Sequence, residues 1–161
     1  MTTSPVRDAP VETPAQPASD TTLPAILLRR ARDTPGAVAL REKDLGRWRR
    51  YPWREYAERA ARIGHGLLAL GVEPGDRVAV HSLNRPEWLF ADQGIQGIGA
   101  VTVGLYPTSP TAEVAYVLGH SEAVVLVAED EEQLDKALAV RERLPALRRL
   151  ERNSPPMRGA R

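Results

Sequence analysis

Cysteine is absent from this chain of 161 residues, which excludes disulfides, thiolate metal ligands and a thiol nucleophile. The sequence also lacks any continuous apolar stretch of about 18 residues, the length that a membrane-spanning helix requires. The N-terminus has no basic region followed by an apolar core of the kind that a secretory signal needs. We therefore expect a cytoplasmic protein without a transmembrane segment.

Aromatic residues and lysines are scarce. Aromatics make up 5% of the chain, the only lysines are Lys43 and Lys136, and the formal net charge is +1. Such a chain has no base-stacking platforms, so the sequence predicts no nucleic-acid partner, and it has no strong overall field that would argue for an anionic membrane. Two groups of basic residues are interpreted as solvated faces or hairpin charges: Arg29, Arg30 and Arg32, and Arg47, Arg49 and Arg50.

Residues 99–130 carry the clearest pattern in the chain. The run from Val101 to Leu105 predicts a strand that stops at Tyr106, because the following proline lacks an N–H donor. Ser109 is predicted to cap a helix that ends at Gly119. The apolar run at residues 123–128 then predicts a strand buried on both faces, so strand, helix and strand form a right-handed βαβ unit in a parallel sheet.

The other elements are predicted from periodicity and turn chemistry. The strongest helix runs from Trp53 to Leu70, with an apolar stripe opposite a charged face. A Pro74-Gly75 pair predicts a type II turn that leads into a strand at residues 77–82. The remaining predictions are a helix from Leu23 to before Pro35, a hairpin at residues 37–41 and 47–51, a helix at residues 85–98, and a helix beginning at residues 129–132 and ending near Leu144.

These elements predict an α/β fold, a parallel sheet with flanking helices and a short N-terminal hairpin. Residues 1–20 hold four prolines among small residues and are predicted to form a disordered tail. Residues 21–150 form the predicted folded unit, in which the alternation of strands and helices is incomplete. Residues 151–161 are predicted to be an irregular tail that cannot pair in a central sheet, and are interpreted as gene-end or out-of-frame sequence.

Several groups of residues are candidate sites. Residues 97–100 contain two glycines, but they follow a helix and precede a strand, so close packing is favoured over dinucleotide binding. The hydroxyl-rich turn at residues 108–111 has no glycine or lysine, so capping is favoured over phosphate binding. The acidic run at residues 129–132 stands at a helix start, which favours capping over a divalent cation.

The histidines predict no metal site, because His65, His81 and His120 lie on different elements. His81 ends a core strand, at the edge of the sheet where ligands gather in open α/β folds. A hydrogen bond to the backbone is nevertheless the favoured role for its ring.

Four motifs in order resemble the opening of AMP-forming acyl-CoA synthetases, with long-chain fatty-acid CoA ligases of the adenylate-forming superfamily the nearest group. They are Tyr51-Pro52-Trp53-Arg54-Glu55, the segment GVEPGDRVA at residues 71–79, Asn84-Arg85-Pro86-Glu87-Trp88, and the segment GAVTVGLYPTS at residues 99–109. The resemblance covers about residues 23–150. It implies an incomplete N-terminal subdomain of a ligase of lipid metabolism.

The resemblance also implies what the intact family does. The family joins a fatty acid to ATP as an acyl-adenylate, with magnesium, and passes the acyl group to coenzyme A. Its phosphate-binding loop with lysine, its Thr-Glu pair, its ribose aspartate and its catalytic lysine match no position here. We therefore expect no catalytic, cofactor-binding or metal residue in this chain and no activity or cofactor of its own. A full-length synthetase as docking partner, or a separate missing half of a split enzyme, are the alternatives.

Three positions depart from the family pattern. Pro52 replaces a helix-capping hydroxyl, Leu83 stands where Glu is common, and Gln93 stands where an apolar residue is usual. These changes predict a lost cap, worth about 1 kcal/mol, and an exposed leucine.

Overall fold

A computed structural model of the chain describes residues 22–152. The predicted tail at residues 1–20 and residues 153–161 lie outside this part. The described residues form five α-helices and six β-strands: α1 Leu23–Asp33, β1 Val38–Asp44, β2 Arg47–Pro52, α2 Trp53–Ala69, β3 Arg77–His81, α3 Pro86–Gly97, β4 Val101–Leu105, α4 Thr111–Ser121, β5 Val125–Ala128, α5 Glu131–Leu138 and β6 Arg149–Arg152.

The main sheet has the strand order β4-β3-β5-β6, and every neighbouring pair is parallel. The predicted parallel sheet is confirmed. β4 and β5, the two strands of the predicted βαβ unit, do not pair with each other, because β3 lies between them. The connection through α4 therefore passes over one strand, and β3 becomes the centre of the sheet, with three consecutive residues, Val78, Ala79 and Val80, almost completely buried.

Helices cover both faces of this sheet. One face packs against α4 and α5 through a cluster that includes Val114, Leu118 and Leu126. The other face packs against α2 and α3 through Leu67, Ile95 and Val80. Burial of such side chains contributes roughly 25 cal/mol for each Å² of apolar surface removed from water. Both helical layers therefore stabilise the sheet.

α2 and α3 approach each other at two glycines. A Cβ atom placed on Gly94 would lie 2.6 Å from the carbonyl oxygen of Ala60, and one placed on Gly64 would lie 3.1 Å from the carbonyl oxygen of Gly94. At Gly94 there is room only for a hydrogen atom, whereas at Gly64 the contact is tight. A glycine inside a helix lowers helix propensity, but in this fold Gly94 is the residue that lets the two helices touch.

The hairpin of β1 and β2 is antiparallel and separate from the main sheet, as predicted. Its turn has positive φ at both central residues, 45° at Leu45 and 79° at Gly46, which is the pattern of a type I′ turn. At the other end Tyr51 is fully buried and donates a hydrogen bond of 2.8 Å to Glu42. Its ring packs against Phe90 of α3 at a centroid distance of 5.6 Å.

The start of α2 confirms the expected loss of a cap. Pro52 occupies the capping position without a side-chain hydrogen bond. The first backbone amides of the helix are satisfied differently, since the N–H of Trp53 donates to the carbonyl of Ala37 and that of Arg54 to the carbonyl of Pro35. The chain just before the hairpin thus replaces the missing hydroxyl. The ion pair between Glu55 and Arg59 is also present, at 2.7 Å.

Two predicted details are wrong. α4 begins at Thr111 with Pro110 at the capping position, so Ser109 is not the cap. The helix also continues past Gly119 to Ser121 and ends on Glu122, whose φ is 51°. A proline fixed near −65° serves as the extended residue before a helix as well as the first residue inside it, and the local sequence did not distinguish these positions.

The prediction that residues 151–161 cannot pair in the sheet is also wrong, for Glu151 and Arg152. Residues Arg149–Arg152 form β6, parallel to β5. An edge strand needs only one neighbour, and here alternate residues are exposed while Leu150 packs against the core. Two ion pairs hold the strand's ends, Arg148 with Asp76 at 2.8 Å and Arg152 with Glu131 at 2.7 Å.

No helix between residues 22 and 152 is both long and apolar enough to cross a bilayer.

Candidate functional site

The carboxyl ends of β3, β4 and β5 meet at one edge of the sheet, where parallel folds usually hold their ligands. Three loops leave this edge: residues 82–85 after β3, residues 106–110 after β4 and residues 129–130 after β5. This edge brings together three of the candidate sites from the sequence: His81, the turn at residues 108–111 and the acidic run at residues 129–132. It is therefore the candidate site.

His81 is completely buried at the end of β3. Its Nε2 lies 3.1 Å from the carbonyl oxygen of Tyr106, which can only accept, so the neutral ring carries its proton on Nε2. Nδ1 has no partner among the described residues. Burial lowers the pKa of the ring, and nearby Lys136 adds to the effect, while the hydrogen bond to Tyr106 and the charges of Asp130 and Glu132 oppose it. The predicted backbone hydrogen bond is confirmed.

Glu129 joins the loop after β5 to the loop after β3. One carboxylate oxygen accepts hydrogen bonds from the N–H of Leu83 at 2.7 Å and from the hydroxyl of Ser82 at 3.1 Å. The other oxygen accepts from the Arg85 guanidinium at 2.7 Å. Burial by itself would raise the pKa of Glu129, but the Leu83 amide, Arg85 and Ser82 together hold that pKa below its usual value.

Arg85 is held on both sides. Its Nε donates to Glu87 at 2.8 Å while its terminal nitrogen donates to Glu129. The backbone at this point is extended and Pro86 begins α3. The guanidinium therefore joins a helix start to the neighbouring loop.

Leu83, one of the three departures from the family pattern, is 59% exposed in the same loop, as predicted.

Lys136 and Asp130 are also committed to internal contacts. The Lys136 ammonium donates to the carbonyl of Pro107 at 2.7 Å and to the side chain of Gln133 at 3.0 Å, and it pairs with Glu132 at 3.2 Å. Asp130 caps α5 by accepting from the N–H of Gln133 at 3.0 Å. The capping interpretation of the acidic run thus holds for Asp130, while Glu129 forms the bridge between loops.

The glycine motif at residues 97–100 and the hydroxyl-rich turn at residues 108–111 both have structural roles. Gly99 has a φ of 79°, and a Cβ atom there would lie 3.2 Å from Pro74, which agrees with close packing at a helix end. Ser109 is buried and its N–H donates to the carbonyl of Tyr106 at 2.9 Å. His65 and His120 do not join His81 at the edge, because they lie on α2 and α4.

The charged groups of this edge are engaged in contacts within the chain. Between residues 22 and 152 no group of three or more His, Asp or Glu side chains could hold a metal ion. The two cations nearest the edge, Arg85 and Lys136, are already bound to carboxylates and carbonyls. A phosphate that bound either cation would have to displace one of these contacts.

Sequence reasoning missed the bridge from Arg85 to Glu129. Each residue had a local explanation, Arg85 in a family motif and Glu129 in a run of acids before a helix. The two residues are 44 positions apart, and only their meeting across the sheet edge shows their shared role. No signal local to either residue indicates it.

Comparison with known proteins identifies relatives of this fold. Residues 27–157 match the family described as AMP-binding enzyme. The chain is 35% identical over 143 residues to the long-chain-fatty-acid CoA ligase FadD15 of Mycobacterium tuberculosis, covering 89% of this chain and 24% of that protein. The chain thus spans about a quarter of the length of this relative.

Two solved structures share the architecture. The anthranilate CoA ligase AuaEII in complex with anthranoyl-AMP is 29% identical, with a TM-score of 0.73 over 80% of this chain and 24% of that one. The inhibitor-bound N-terminal domain of FACL13 from Mycobacterium tuberculosis, at 24% identity, shares the fold, with a TM-score of 0.74 over 80% and 32%. The fold, the ordered motifs and these matches together show that the chain belongs to the AMP-binding enzyme family, among the AMP-forming acyl-CoA synthetases.

Proposed function

We propose that this chain forms the N-terminal scaffold of a cytoplasmic fatty-acid CoA ligase and that it forms no acyl-adenylate by itself. In the intact family the reaction uses ATP, magnesium, coenzyme A and a fatty acid. This part supplies a parallel sheet, the helices packed on it and one wall of the groove. The reactive groups belong to sequence that has no counterpart here.

The internal use of every charged group at the sheet edge supports this proposal. Glu129, Arg85 and Lys136 each make contacts that hold loops together. A residue that serves catalysis must reach a reacting atom, whereas these side chains contact backbone and side-chain groups of the chain itself. The edge therefore acts as a frame for the loops around a reaction performed elsewhere.

A pyrophosphate-release assay tests the proposal. The purified chain is incubated with ATP, magnesium, a long-chain fatty acid and coenzyme A, beside purified full-length FadD15 as the positive control. We expect pyrophosphate from the control and none above the blank from this chain. Turnover that increases with the amount of this chain, or tight magnesium-dependent ATP binding by it, would contradict the proposal.

The second candidate function is that of one half of a split enzyme, which a separate chain would complete. A hollow of about 330 Å³ opens between α2, α3 and the end of β6, lined by apolar side chains including Ile63, Leu67 and Val127. At the other side of the sheet Val101 of β4 is 49% exposed. Within the described residues β4 pairs only with β3 and β6 only with β5. These surfaces suit further strands and helices of a synthetase.

Complementation distinguishes the two candidates. The remaining three-quarters of FadD15 is produced as a separate chain and mixed with this one. Pyrophosphate release by the mixture, but by neither part alone, would establish a split enzyme. Co-purification at fixed stoichiometry without activity would favour a docking role, and no association would exclude both.

A further inference from the structure

The hairpin of β1 and β2 has two chemically different faces. The strand register places Leu40 opposite Tyr51 and Glu42 opposite Arg49. This face turns toward the core, where Tyr51 is buried against Phe90. Its basic residue is engaged, since the Arg49 guanidinium lies 4.9 Å from the centre of the Tyr51 ring.

The opposite face carries positive charge and an exposed aromatic ring. The same register places Arg41 opposite Arg50 and Lys43 opposite Trp48, and all four side chains are exposed, with Trp48 at 64%. Leu45 in the adjoining turn is 98% exposed. These five residues are called the outer hairpin face. Among the side chains that the structure describes, no ion pair involves Arg41, Lys43 or Arg50.

Folding does not explain this face, because two of its features oppose folding. Like charges directly opposite in an antiparallel pair are destabilising, and Arg41 and Arg50 are such a pair. A leucine at positive φ is strained, and Leu45 at 45° gains no burial in return. The turn position that it occupies favours Asn or Asp before glycine.

We propose that the outer hairpin face binds an anionic lipid surface. Leu45 at the tip enters the apolar boundary of the leaflet, Trp48 lies at the level of the headgroups, and Arg41, Lys43 and Arg50 contact the headgroup phosphates. Apolar residues beside basic ones are the combination that interfacial binding requires. The net charge of the whole chain is nearly neutral, so composition alone does not indicate this local basic patch.

A lipid surface fits this face better than a nucleic acid. Single strands bind to a row of aromatic rings on which successive bases stack, and this face has one ring. An exposed leucine at the tip of a hairpin adds nothing to phosphate binding, whereas burial of its side chain in lipid contributes favourably. The apolar tip therefore decides between the two polyanions.

Vesicle sedimentation of the full 161-residue chain tests the proposal. Vesicles of phosphatidylcholine mixed with phosphatidylglycerol should bind the chain, and the binding should weaken with added salt. Pure phosphatidylcholine vesicles should bind it at least tenfold more weakly, because each basic side chain near an anionic leaflet contributes roughly a fivefold change in partitioning. Equal binding to both kinds of vesicle, or to neither, would overturn the proposal.

Two triple variants distinguish the contribution of the outer hairpin face from the effect of overall net charge. Arg41→Gln with Lys43→Gln and Arg50→Gln should weaken binding to the mixed vesicles by about tenfold or more. The matched control replaces three exposed arginines elsewhere, Arg29→Gln with Arg143→Gln and Arg149→Gln, and has the same net charge. It should bind like the unchanged chain. Equal losses in the two triple variants, or binding of a DNA oligonucleotide in place of vesicles, would overturn the proposal.

A single substitution at the tip moves stability and binding in opposite directions. Leu45→Asn supplies the residue that a type I′ turn prefers, so the melting temperature should rise. The same change removes the inserted side chain, so binding to mixed vesicles should weaken. Trp48 fluorescence should shift to shorter wavelength on binding in the unchanged chain, and a Trp48→Phe variant should show no such shift. Unchanged vesicle binding in Leu45→Asn would show that the tip does not insert.

Discussion

The guanidinium of Arg85 lies 2.7 Å from the carboxylate of Glu129 and joins two loops that leave the same edge of the sheet. Glu129 also accepts from the backbone N–H of Leu83. The pair is thus part of the framework that sets the path from β3 into α3. Leu83 and Arg85 are both more than 40 positions away from Glu129 in the sequence. These contacts therefore form only when the sheet has assembled.

Glu129→Ala should destabilise the fold by about 2 kcal/mol, because it leaves the Leu83 N–H without its acceptor and Arg85 without one of its two carboxylate partners. Urea unfolding at neutral pH measures the change. Glu122→Ala is the control, since Glu122 pairs with Arg77 on the surface with 72% of its side chain exposed and should cost far less. Equal costs for the two variants would contradict the structural role of Glu129.

The lowered pKa of Glu129 also predicts acid sensitivity. A carboxylate whose pKa is depressed in the folded state stabilises the protein above its unfolded value of about 4.3, and this stability is lost as the pH falls through the folded pKa. Thermal melts from pH 6 downward should show the loss in the unchanged chain. The loss should be smaller in Glu129→Gln.

Gly94→Ala should destabilise the fold by about 1–3 kcal/mol, the usual cost of overpacking, because the added carbon meets the Ala60 carbonyl of the neighbouring helix. Gly66→Ala in α2 is the matched control. A Cβ atom there meets nothing within 4 Å, and alanine in a helix is favoured by about 1 kcal/mol over glycine. Denaturant unfolding should give changes of opposite sign, and the same sign for both would show that the helices are not in contact at Gly94.

His81 should make stability depend on pH between neutral and mildly acidic conditions. Burial lowers the pKa of its ring, so the unfolded state binds a proton at a higher pH than the folded state does. Stability is therefore complete above the unfolded value of about 6.5 and falls as the pH decreases toward the folded pKa.

Melting temperatures at pH 8 and pH 5.5 test this dependence in the unchanged chain and in His81→Gln. The variant keeps a side-chain donor for the Tyr106 carbonyl and removes the titrating ring, so its melting temperature should vary less. His65→Gln is the control, because that ring is exposed to solvent in the folded state. An unchanged dependence in His81→Gln would contradict the assignment.

Tyr51 should make the fold sensitive to alkali. Burial, together with the hydrogen bond to Glu42, raises the pKa of its hydroxyl to about 12. A tyrosine that keeps its proton in the folded state stabilises the protein below the unfolded value of about 10, and the contribution is lost as the pH rises through the folded pKa. Tyr51→Phe should cost about 1 kcal/mol at neutral pH and show a shallower loss above pH 10. Circular dichroism melts measure both effects.

The sequence by itself determined the elements whose signals are local. The stripe of α2, the apolar run of β5 and the turn at Pro74-Gly75 each depend on neighbours within a few residues, and the structure contains all three. The family motifs follow the same rule, because they consist of short segments in a fixed order. Helix ends were predicted less accurately, since Ser109 is not the cap of α4 and the helix continues past Gly119.

Only the tertiary structure decided which distant residues meet. β6 has no strong pattern of its own and exists because β5 offers a free edge. Gly94 and Glu129 acquire their roles from an opposing helix and an opposing loop, and the outer hairpin face follows from the strand register. Spacing along the chain carries information about local geometry, whereas contacts between residues far apart depend on how complete elements pack together.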